Sequence, residues 1–321
     1  MIEENNTPQV ERDELEATGK GVSYSAAFFM LIAFGVGCTI LSGVIAIPLV
    51  SLMSGKSIAF VTQHLQEMVG NKAYLREIQV LQSLSAIIGF LVPTLFVASR
   101  INRRPLALTG FKGAISAREV GLVILIMACG LALSSALGYF TYKLPFPVNW
   151  RIVFDRLEHN YAETAAGIIS FASIPDLIIS IIVLALVPAV CEETFFRGGL
   201  QNYLYRSTGG LWMSVIVVSV IFSAVHFSVY GFLSRVALGI VLGLIFQYSG
   251  RLWLSILAHF LNNATAVIMM YVQTGKGKTL QEVLNDRDGS YWGLAVVPVI
   301  IYLFIEYRKS IAHKTTASNG F

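Results

Sequence analysis

The sequence contains few charged residues, only three cysteines and no long run of basic residues. Only 13% of the 321 residues are Asp, Glu, Lys or Arg, and the 23 basic and 19 acidic side chains are scattered along the chain. Nucleic-acid-binding proteins concentrate positive charge in a patch or stripe, so this distribution argues against nucleic acid as a partner. The cysteines Cys38, Cys129 and Cys191 lie in apolar stretches without CxxC spacing. They therefore predict neither a redox motif nor a disulfide framework.

Apolar residues, by contrast, are abundant and occur in long runs. They make up 55% of the chain, and the mean hydropathy is positive. A helix needs about 20 apolar residues to cross a bilayer core of roughly 30 Å. The predicted fold class is therefore all-α, a polytopic membrane bundle of about eight transmembrane helices that accounts for the whole length. The predicted spans cover residues 26–53, 78–99, 119–142, 176–206, 211–228, 233–249, 252–272 and 291–305.

The predicted orientation depends on the positive charges between the spans. The first 25 residues are polar, and the apolar run that follows is too long for a cleaved signal peptide and lacks a small-residue cleavage site. The first span is therefore expected to remain in the protein. The loop after the second span should face the cytoplasm, which puts both termini on the cytoplasmic side of the plasma membrane. The basic residues of this loop are Arg100, Arg103, Arg104, Lys112 and Arg118.

Two adjacent glutamates and an arginine lie in the fourth predicted span. On a helix, Glu193 and Arg197 are four residues apart and share one face, so they can form an internal ion pair. Glu192 is turned about 100° away and is left to face another partner. A carboxylate in a desolvated pocket gains proton affinity, which suits a general base that takes a proton from water. The alternative is structural, with both glutamates pairing with Arg197 to lock helices together.

Two histidines and an asparagine lie in later apolar stretches. Phe222 and His226 are four residues apart, so the phenyl ring can pack against the imidazole. His226 could then orient a water with Glu192 or relay its proton. His259 and Asn263 also share a helix face, and their hydrogen-bond donors can stabilise the oxyanion of a tetrahedral intermediate. Taken alone, each pair is more often explained by packing, as a buried histidine or as a polar clasp between helices.

The depths of these residues predict an irregularity in the seventh span. With a rise of 1.5 Å per residue, Glu192 and His226 lie about 21 and 22 Å from the expected inner ends of their spans. His259 lies only about 12 Å from its own. For His259 to meet the other two, the seventh span must begin deeper than its neighbours, or the side chain must reach upward.

Three further patterns concern packing. Pro188, four residues before Glu192, predicts a kink in the long fourth span. Gly239 and Gly243 have the GxxxG spacing that lets membrane helices approach closely, which we interpret as packing within the bundle in preference to dimerisation. The stretch 155–170 predicts either an amphipathic helix on the outer interface or a solvated loop.

The three polar motifs together resemble those of a known family. Residues 192–198, 222–226 and 259–263 are similar to the EExxxR, FxxxH and HxxxN motifs of the CPBP family, the CAAX-protease and bacteriocin-processing group also called Abi. The resemblance covers about residues 176–271. It implies a glutamate-dependent intramembrane endopeptidase on an eight-helix bundle. The family includes type II CAAX prenyl endopeptidases, whose eukaryotic members cut prenylated C-terminal peptides, while many bacterial members have other or unknown roles.

The resemblance also implies a role for each motif residue. Glu192 would activate water with His226 as its partner, and His259 with Asn263 would form the oxyanion hole. No metal or other cofactor is implied. The residues that would support the site are Glu193, Arg197 and Phe222.

Four other readings remain open. A zinc protease would use His226, His259 and Glu192 as ligands, although the sequence has no HExxH motif and Asn263 would then have no part. A cysteine mechanism through Cys191 is disfavoured because the residue points away from Glu192 and has no nearby cation to activate it. The bundle could also be a non-enzymatic membrane protein, such as an immunity or scaffold protein. A proton-coupled transporter would likewise use buried Glu and His.

The preferred reading is an intramembrane endopeptidase that hydrolyses a peptide bond in a membrane-associated or lipidated peptide or protein. Its surroundings would be membrane lipid. The chain would then divide into a polar cytoplasmic segment, three N-terminal membrane helices with their loops, a CPBP/Abi-like catalytic core, and an outer loop followed by the last helix and a cytoplasmic tail. These segments cover residues 1–25, 26–175, 176–271 and 272–321.

Overall fold

The computed structural model describes residues 21–286 and 288–318, with side chains as far as residue 312. Throughout these residues the regular structure is helical and no strand occurs, which confirms the all-α fold class. Residues 1–20 of the predicted polar segment 1–25 lie outside the described residues. The helices are α1 (Tyr24–Ser54), α2 (Ile58–Gly70), α3 (Lys72–Ile101), α4 (Ala117–Lys143), α5 (Val148–Ile168), α6 (Ile174–Thr208), α7 (Leu211–Ala224), α8 (Phe232–Ser249), α9 (Leu252–Gly275), α10 (Leu280–Asn285) and α11 (Val297–Ser318).

Six of the described helices are long and apolar enough to cross a membrane, namely α1, α3, α4, α6, α8 and α9. Large apolar side chains on their outer faces are exposed, as Phe29 and Ile40 are in α1, which suits contact with lipid. Helix α7 has only 14 residues, and the eighth predicted span begins as a 3-10 turn before α11. A polytopic membrane bundle is therefore confirmed, whereas the count of eight spans is not.

Helix α6 carries the paired glutamates and is irregular where they lie. It begins at the N-cap Ser173, whose hydroxyl accepts the Asp176 N–H at 3.3 Å. Within the helix, π-helical segments at Ile182–Leu186 and Thr194–Gln201 flank the turn that contains Pro188 and Glu192. Proline has no N–H to donate to the carbonyl four residues earlier, and single π-helical turns are frequent at functional sites. The sequence therefore widens α6 on both sides of Glu192.

Helix α9 begins inside the protein. Both terminal nitrogens of the Arg251 guanidinium donate to the Glu119 carboxylate, at 2.6 and 2.8 Å, and both residues are buried. The next residue, Leu252, is buried too, and its N–H donates to the Gly110 carbonyl at 2.8 Å. His259 does meet the Glu193 carboxylate of α6, whereas a deeper beginning of the seventh span in the membrane stays a prediction.

The GxxxG glycines of α8 lie against neighbouring helices. A Cβ on Gly239 would lie 2.8 Å from the Cβ of Ser219 in α7, and one on Gly243 would lie 2.7 Å from Oε1 of Gln201 in α6. Real side chains do not pack this closely without displacement. The interpretation of these glycines as packing residues within the bundle is therefore confirmed.

We expect Gly239→Ala to lower the stability of the protein by about 1–3 kcal/mol, because the added methyl group must push α7 and α8 apart. The matched control is Gly37→Ala in α1, where an added Cβ meets nothing within 4 Å. The control should leave the Tm unchanged or slightly raised, since alanine favours a helix more than glycine does. Thermal unfolding in detergent measures both variants. Equal Tm values for the two would contradict the packing argument.

Helix α5 covers most of the stretch 155–170, for which the sequence allowed either a helix or a loop. The stretch predicted as either helix or loop is helical as far as Ile168, so the helix interpretation of residues 155–170 is confirmed for all but its last two residues. Val148, Trp150, Ile152 and Val153 near its start are exposed. Its location on the membrane interface stays a prediction.

Candidate active site

The first element of the site is an ion pair within α6. Arg197 Nη1 donates to Glu193 Oε1 at 2.6 Å, and the two side chains are 1% and 0% exposed. The predicted pairing of these residues is therefore confirmed. Arg197 also donates through Nη2 to the Gly239 carbonyl at 3.3 Å, and its guanidinium lies 4.7 Å from the centre of the Phe222 ring. The close approach of α8 at Gly239 thus gives the buried cation a second partner.

Glu193 also holds His259. The imidazole Nδ1 lies 2.8 Å from Glu193 Oε1, the same oxygen that accepts from Arg197. An ionised carboxylate can only accept hydrogen bonds, so Nδ1 carries the hydrogen and Nε2 is the second, outward nitrogen. Such a carboxylate partner fixes both the tautomer and the orientation of a histidine. The chain of contacts from Arg197 through Glu193 therefore determines where His259 Nε2 points.

That nitrogen faces the other glutamate. His259 Nε2 lies 4.0 Å from Glu192 Oε2, and the Glu192 side chain is 16% exposed. Within the described residues, no hydrogen bond to the Glu192 carboxylate is formed. A separation of 4.0 Å is too long for a direct hydrogen bond, but it suits a single water molecule that bonds to both groups. Glu192 is therefore positioned differently from Glu193, with room for water between it and an imidazole.

His226 lies in a turn, because α7 ends at Ala224. The predicted span 211–228 is thus too long for the helix, and the reason is local: Phe227 adopts a φ of 51°, which an α-helix cannot contain. His226 Nδ1 lies 2.7 Å from the Phe222 carbonyl, so Nε2 is left for another partner. The predicted contact with the Phe222 ring is present, with the ring centres 4.9 Å apart.

Phe222 brings the two imidazoles into one cluster. Its ring edge also meets His259, with the ring centres 5.8 Å apart. Among the described residues, no hydrogen bond or ion pair joins His226 to Glu192, whereas His259 lies beside both glutamates. The predicted residues therefore converge, but the imidazole nearest to Glu192 is that of His259.

Asn263, one turn after His259, is directed at α6. Its side-chain amide donates to the Leu184 carbonyl at 3.3 Å. Leu184 lies four residues before Pro188, which has no N–H to offer that carbonyl. The Asn263 carbonyl oxygen in turn accepts from Asn262 Nδ2 at 3.0 Å. The amide is thus held on both sides, and one of its two N–H groups is left for a further acceptor.

The ligands of the zinc alternative are not assembled. In the part of the chain that the structure describes, no three His, Cys, Asp or Glu side chains are grouped so as to hold a metal ion. His226 and His259 contact the same Phe222 ring, and each uses its Nδ1 elsewhere. Cys191, the nucleophile of the cysteine alternative, is a buried packing residue in α6.

Sequence reasoning missed one charged residue near the site. Arg235 in α8 lies nine residues after His226 and one turn before Gly239, whose carbonyl accepts from Arg197 Nη2 at 3.3 Å. A signal for it existed, because Arg235 is the one charged residue in the predicted span 233–249. An ionisable side chain within a membrane span is a candidate functional residue.

Comparison with known proteins bears on the segment that holds these residues. A family model described as "Type II CAAX prenyl endopeptidase Rce1-like" matches residues 174–265. Two proteins of Bacillus subtilis (strain 168) are similar. "Uncharacterized protein YpbD" is 37% identical over 125 residues, which are 38% of this chain and 59% of that protein. "Putative membrane peptidase YdiL" is 33% identical over 89 residues, 28% of this chain and 36% of that protein.

The chain thus spans less than two thirds of the length of either relative. No solved structure matches it. The matched segment includes Glu192, His226, His259 and Asn263, so the resemblance predicted from the three motifs is confirmed. Residues 174–265 of this protein are thus similar to the type II CAAX prenyl endopeptidase Rce1-like group, a similarity consistent with the CPBP family.

Proposed function

We propose that this protein is an intramembrane endopeptidase in which Glu192 activates water. One observation carries the proposal. The Glu192 carboxylate lies 4.0 Å from an imidazole nitrogen whose orientation is determined by a second, ion-paired glutamate. A general base must be within reach of the proton that it takes, directly or through one water. Two glutamates that merely paired with Arg197 would both be bonded to it, yet only Glu193 is.

The reaction consumes one water molecule. Glu192 takes a proton from a water held between its carboxylate and His259 Nε2, and the hydroxide attacks the carbonyl carbon of the scissile peptide bond. The resulting tetrahedral intermediate carries its negative charge on the former carbonyl oxygen. The C–N bond then breaks, and the proton on Glu192 passes to the leaving nitrogen. The products are one peptide with a new carboxylate and one with a new amine.

The remaining site residues act around that intermediate. Asn263 supplies its second amide N–H to the oxyanion, because the Leu184 carbonyl orients the side chain by accepting the first. Preorganised donors of this kind stabilise the charge that develops in the transition state. The sequence predicted His226 as the partner of Glu192 and His259 as an oxyanion donor. The distances favour His259 as the group that shares the water, and they leave His226 Nε2 to the substrate or to a second water.

The substrate is proposed to be a membrane-associated or lipidated peptide or protein. Glu192 and His259 lie on α6 and α9, two of the six helices that are apolar enough to cross a membrane, so a substrate reaches the site most directly from the bilayer. Prenylated peptides are the first to test, because the matched family model is described as a CAAX prenyl endopeptidase. Location in the plasma membrane with both termini in the cytoplasm belongs to the same proposal, supported by the basic loop between α3 and α4.

We expect the purified protein to cleave a quenched fluorescent peptide in detergent at the same rate with and without excess chelator, because Glu192 and His259 supply the base without a metal. The assay measures initial rates with EDTA, with 1,10-phenanthroline and with neither. Loss of activity on chelation that added zinc restores would replace this mechanism with a metal-dependent one. If membrane peptides bind but none is cleaved, the non-enzymatic reading is the better account.

A further inference from the structure

A cavity of about 290 Å³ lies where α4, α5 and the start of α8 meet. Its volume is close to the lower end of the range for small-molecule sites. Aromatic and charged side chains line it together, among them Tyr142, Tyr161, Glu158 and Arg235. Such a mixture suits a ligand that has an apolar body and a charged group. None of the site residues that the sequence predicted lines this cavity.

Among the described residues that line this cavity, Arg235 is the one cation. Its guanidinium lies 5.1 Å from the centre of the Tyr161 ring. On its other side is Gly231, where an added Cβ would collide with Nη1. Nη1 is buried and has no hydrogen-bond partner among the described residues. A buried donor without a partner costs free energy and calls for an explanation, and an anionic ligand provides one.

The same guanidinium is connected to the proposed catalytic residues. Gly239, one turn after Arg235 in α8, accepts through its carbonyl from Arg197 Nη2 at 3.3 Å. The loop between His226 and Arg235 is fixed to α5, because Glu158 Oε1 accepts from Ser228 Oγ at 2.6 Å and from the Tyr230 N–H at 3.1 Å. An anion on Arg235 would therefore be held at a defined position relative to the water of Glu192.

The other charges of the cavity restrict the kind of anion. Glu158, Asp286 and Asp288 also line it. Glu158 is occupied by the loop, and Asp286 accepts from Lys278 Nζ at 2.9 Å. These carboxylates repel a phosphate dianion more strongly than a singly charged carboxylate. A guanidinium also matches a carboxylate through two parallel hydrogen bonds.

We propose that Arg235 binds a carboxylate of the peptide substrate and so places the scissile bond at Glu192. The inference rests on the proposed peptidase function, and it makes Arg235 a specificity-determining residue. The carboxylate could belong to the C-terminus of the peptide or to an acidic side chain near it. The chemistry on the protein is the same in both cases, and matched peptides distinguish them.

The test uses three dansylated nonapeptides. In each of them the fourth residue from the C-terminus is a farnesylated cysteine, as in a CaaX sequence. One has a free C-terminal carboxylate, one a C-terminal amide, and one an amide with glutamate as the last residue. Binding is measured by fluorescence in detergent to full-length Glu192→Gln protein, so that cleavage does not interfere. Addition of Arg235→Gln should weaken binding of the free-carboxylate peptide about 10- to 100-fold and leave binding of the plain amide unchanged.

Two further variants make the test specific. Arg235→Lys keeps the charge but not the paired geometry, so it should recover part of the lost affinity. Arg308→Gln is the matched control, because the Arg308 guanidinium also lies 5.1 Å from a tyrosine ring, that of Tyr248, and lines no part of the cavity. Its affinities should equal those of the parent. Thermal unfolding of every variant identifies any that have lost their fold.

The possible results separate the two proposals. Restored affinity of the glutamate-ended amide identifies a side-chain carboxylate as a ligand, and no restoration identifies the C-terminus. Equal affinity of the parent for the carboxylate and the amide, equal weakening of both by Arg235→Gln, or no binding of any peptide overturns the carboxylate site. If the unsubstituted protein discriminates between the peptides but cleaves none, the peptidase proposal fails and the site stands. If the unsubstituted protein cleaves the peptides but binds them equally, the peptidase proposal stands and the carboxylate site fails.

Discussion

Replacement of Glu192 by glutamine is expected to reduce peptide turnover by about 100- to 10,000-fold, the range that a general base contributes. Glutamine has almost the same shape as glutamate but cannot take a proton from water. The fold should survive, because the Glu192 carboxylate forms no hydrogen bond within the described residues, and the imidazole Nε2 of His259 is 4.0 Å from it. Loss of activity with an unchanged Tm is therefore the expected combination.

This expectation can be measured with the purified protein and in cells. Initial rates on a quenched peptide provide kcat and KM, and mass spectrometry compares membrane and secreted peptides between cells that hold the intact chain and cells that hold Glu192→Gln. Glu306→Gln is the control, because Glu306 lies on α11 and pairs with Lys309 and Arg118 at the surface. It should leave turnover unchanged. Full activity of Glu192→Gln would end the proposed mechanism.

Replacement of Glu193 by glutamine, unlike that of Glu192, should destabilise the protein. We expect the free energy of unfolding to fall by about 3–5 kcal/mol, the cost of removing one member of a buried ion pair. Glu193 and Arg197 are 0% and 1% exposed, so water cannot solvate the Arg197 guanidinium once the Glu193 carboxylate is gone. Arg197 Nε already lacks a partner within the described residues. Turnover should fall as well, because His259 loses the ionised acceptor that orients it.

A double variant separates charge burial from catalysis. Glu193→Leu with Arg197→Met removes both charges, and buried pairs replaced by apolar residues of similar volume are often no less stable than the original. Thermal unfolding should therefore show recovery of most of the lost stability, while turnover stays low. Glu193→Leu alone, Arg197→Met alone and the double variant form a cycle that measures the coupling of the pair. A Glu193→Gln protein as stable as the parent would contradict the buried ion pair.

The two glutamates together distinguish an enzyme from a membrane partner that keeps the site for stability. In the enzyme, Glu192→Gln removes the cellular effect of the protein and leaves the fold intact. In a scaffold or immunity protein, Glu192→Gln preserves that effect, and only destabilising changes such as Glu193→Gln abolish it. The contrast depends on adjacent residues of the same chemical type that lie in different surroundings.

Much of the site follows from patterns within single helices. The Glu193–Arg197 pair and the contact between Phe222 and His226 were predicted from a spacing of four residues, and both are present. The packing role of Gly239 was predicted in the same way. The pitch of a helix determines which of its residues are neighbours, and the Phe222–His226 contact is present although His226 lies in the turn that follows α7.

Relations between helices were harder to predict. The sequence could not decide which imidazole lies beside Glu192, because that depends on the depth and rotation of α7 and α9 relative to α6. His226 was expected within a helix and lies in the turn after it. Arg235 was not predicted as a site residue, because its link to the site depends on the contact of α8 with α6 at Gly239 and Arg197.

The amino-acid sequence by itself determined the all-α membrane bundle, the three polar motifs and the ion pair within α6, since apolar run length and helical periodicity are local properties. Only the tertiary structure decided that Glu193 holds His259 across 66 residues of chain and that Arg251 anchors the start of α9 to Glu119, 132 residues earlier. The physical reason is that such contacts depend on how far each helix is inserted and turned. That geometry is a property of the packed bundle, which no single helix encodes.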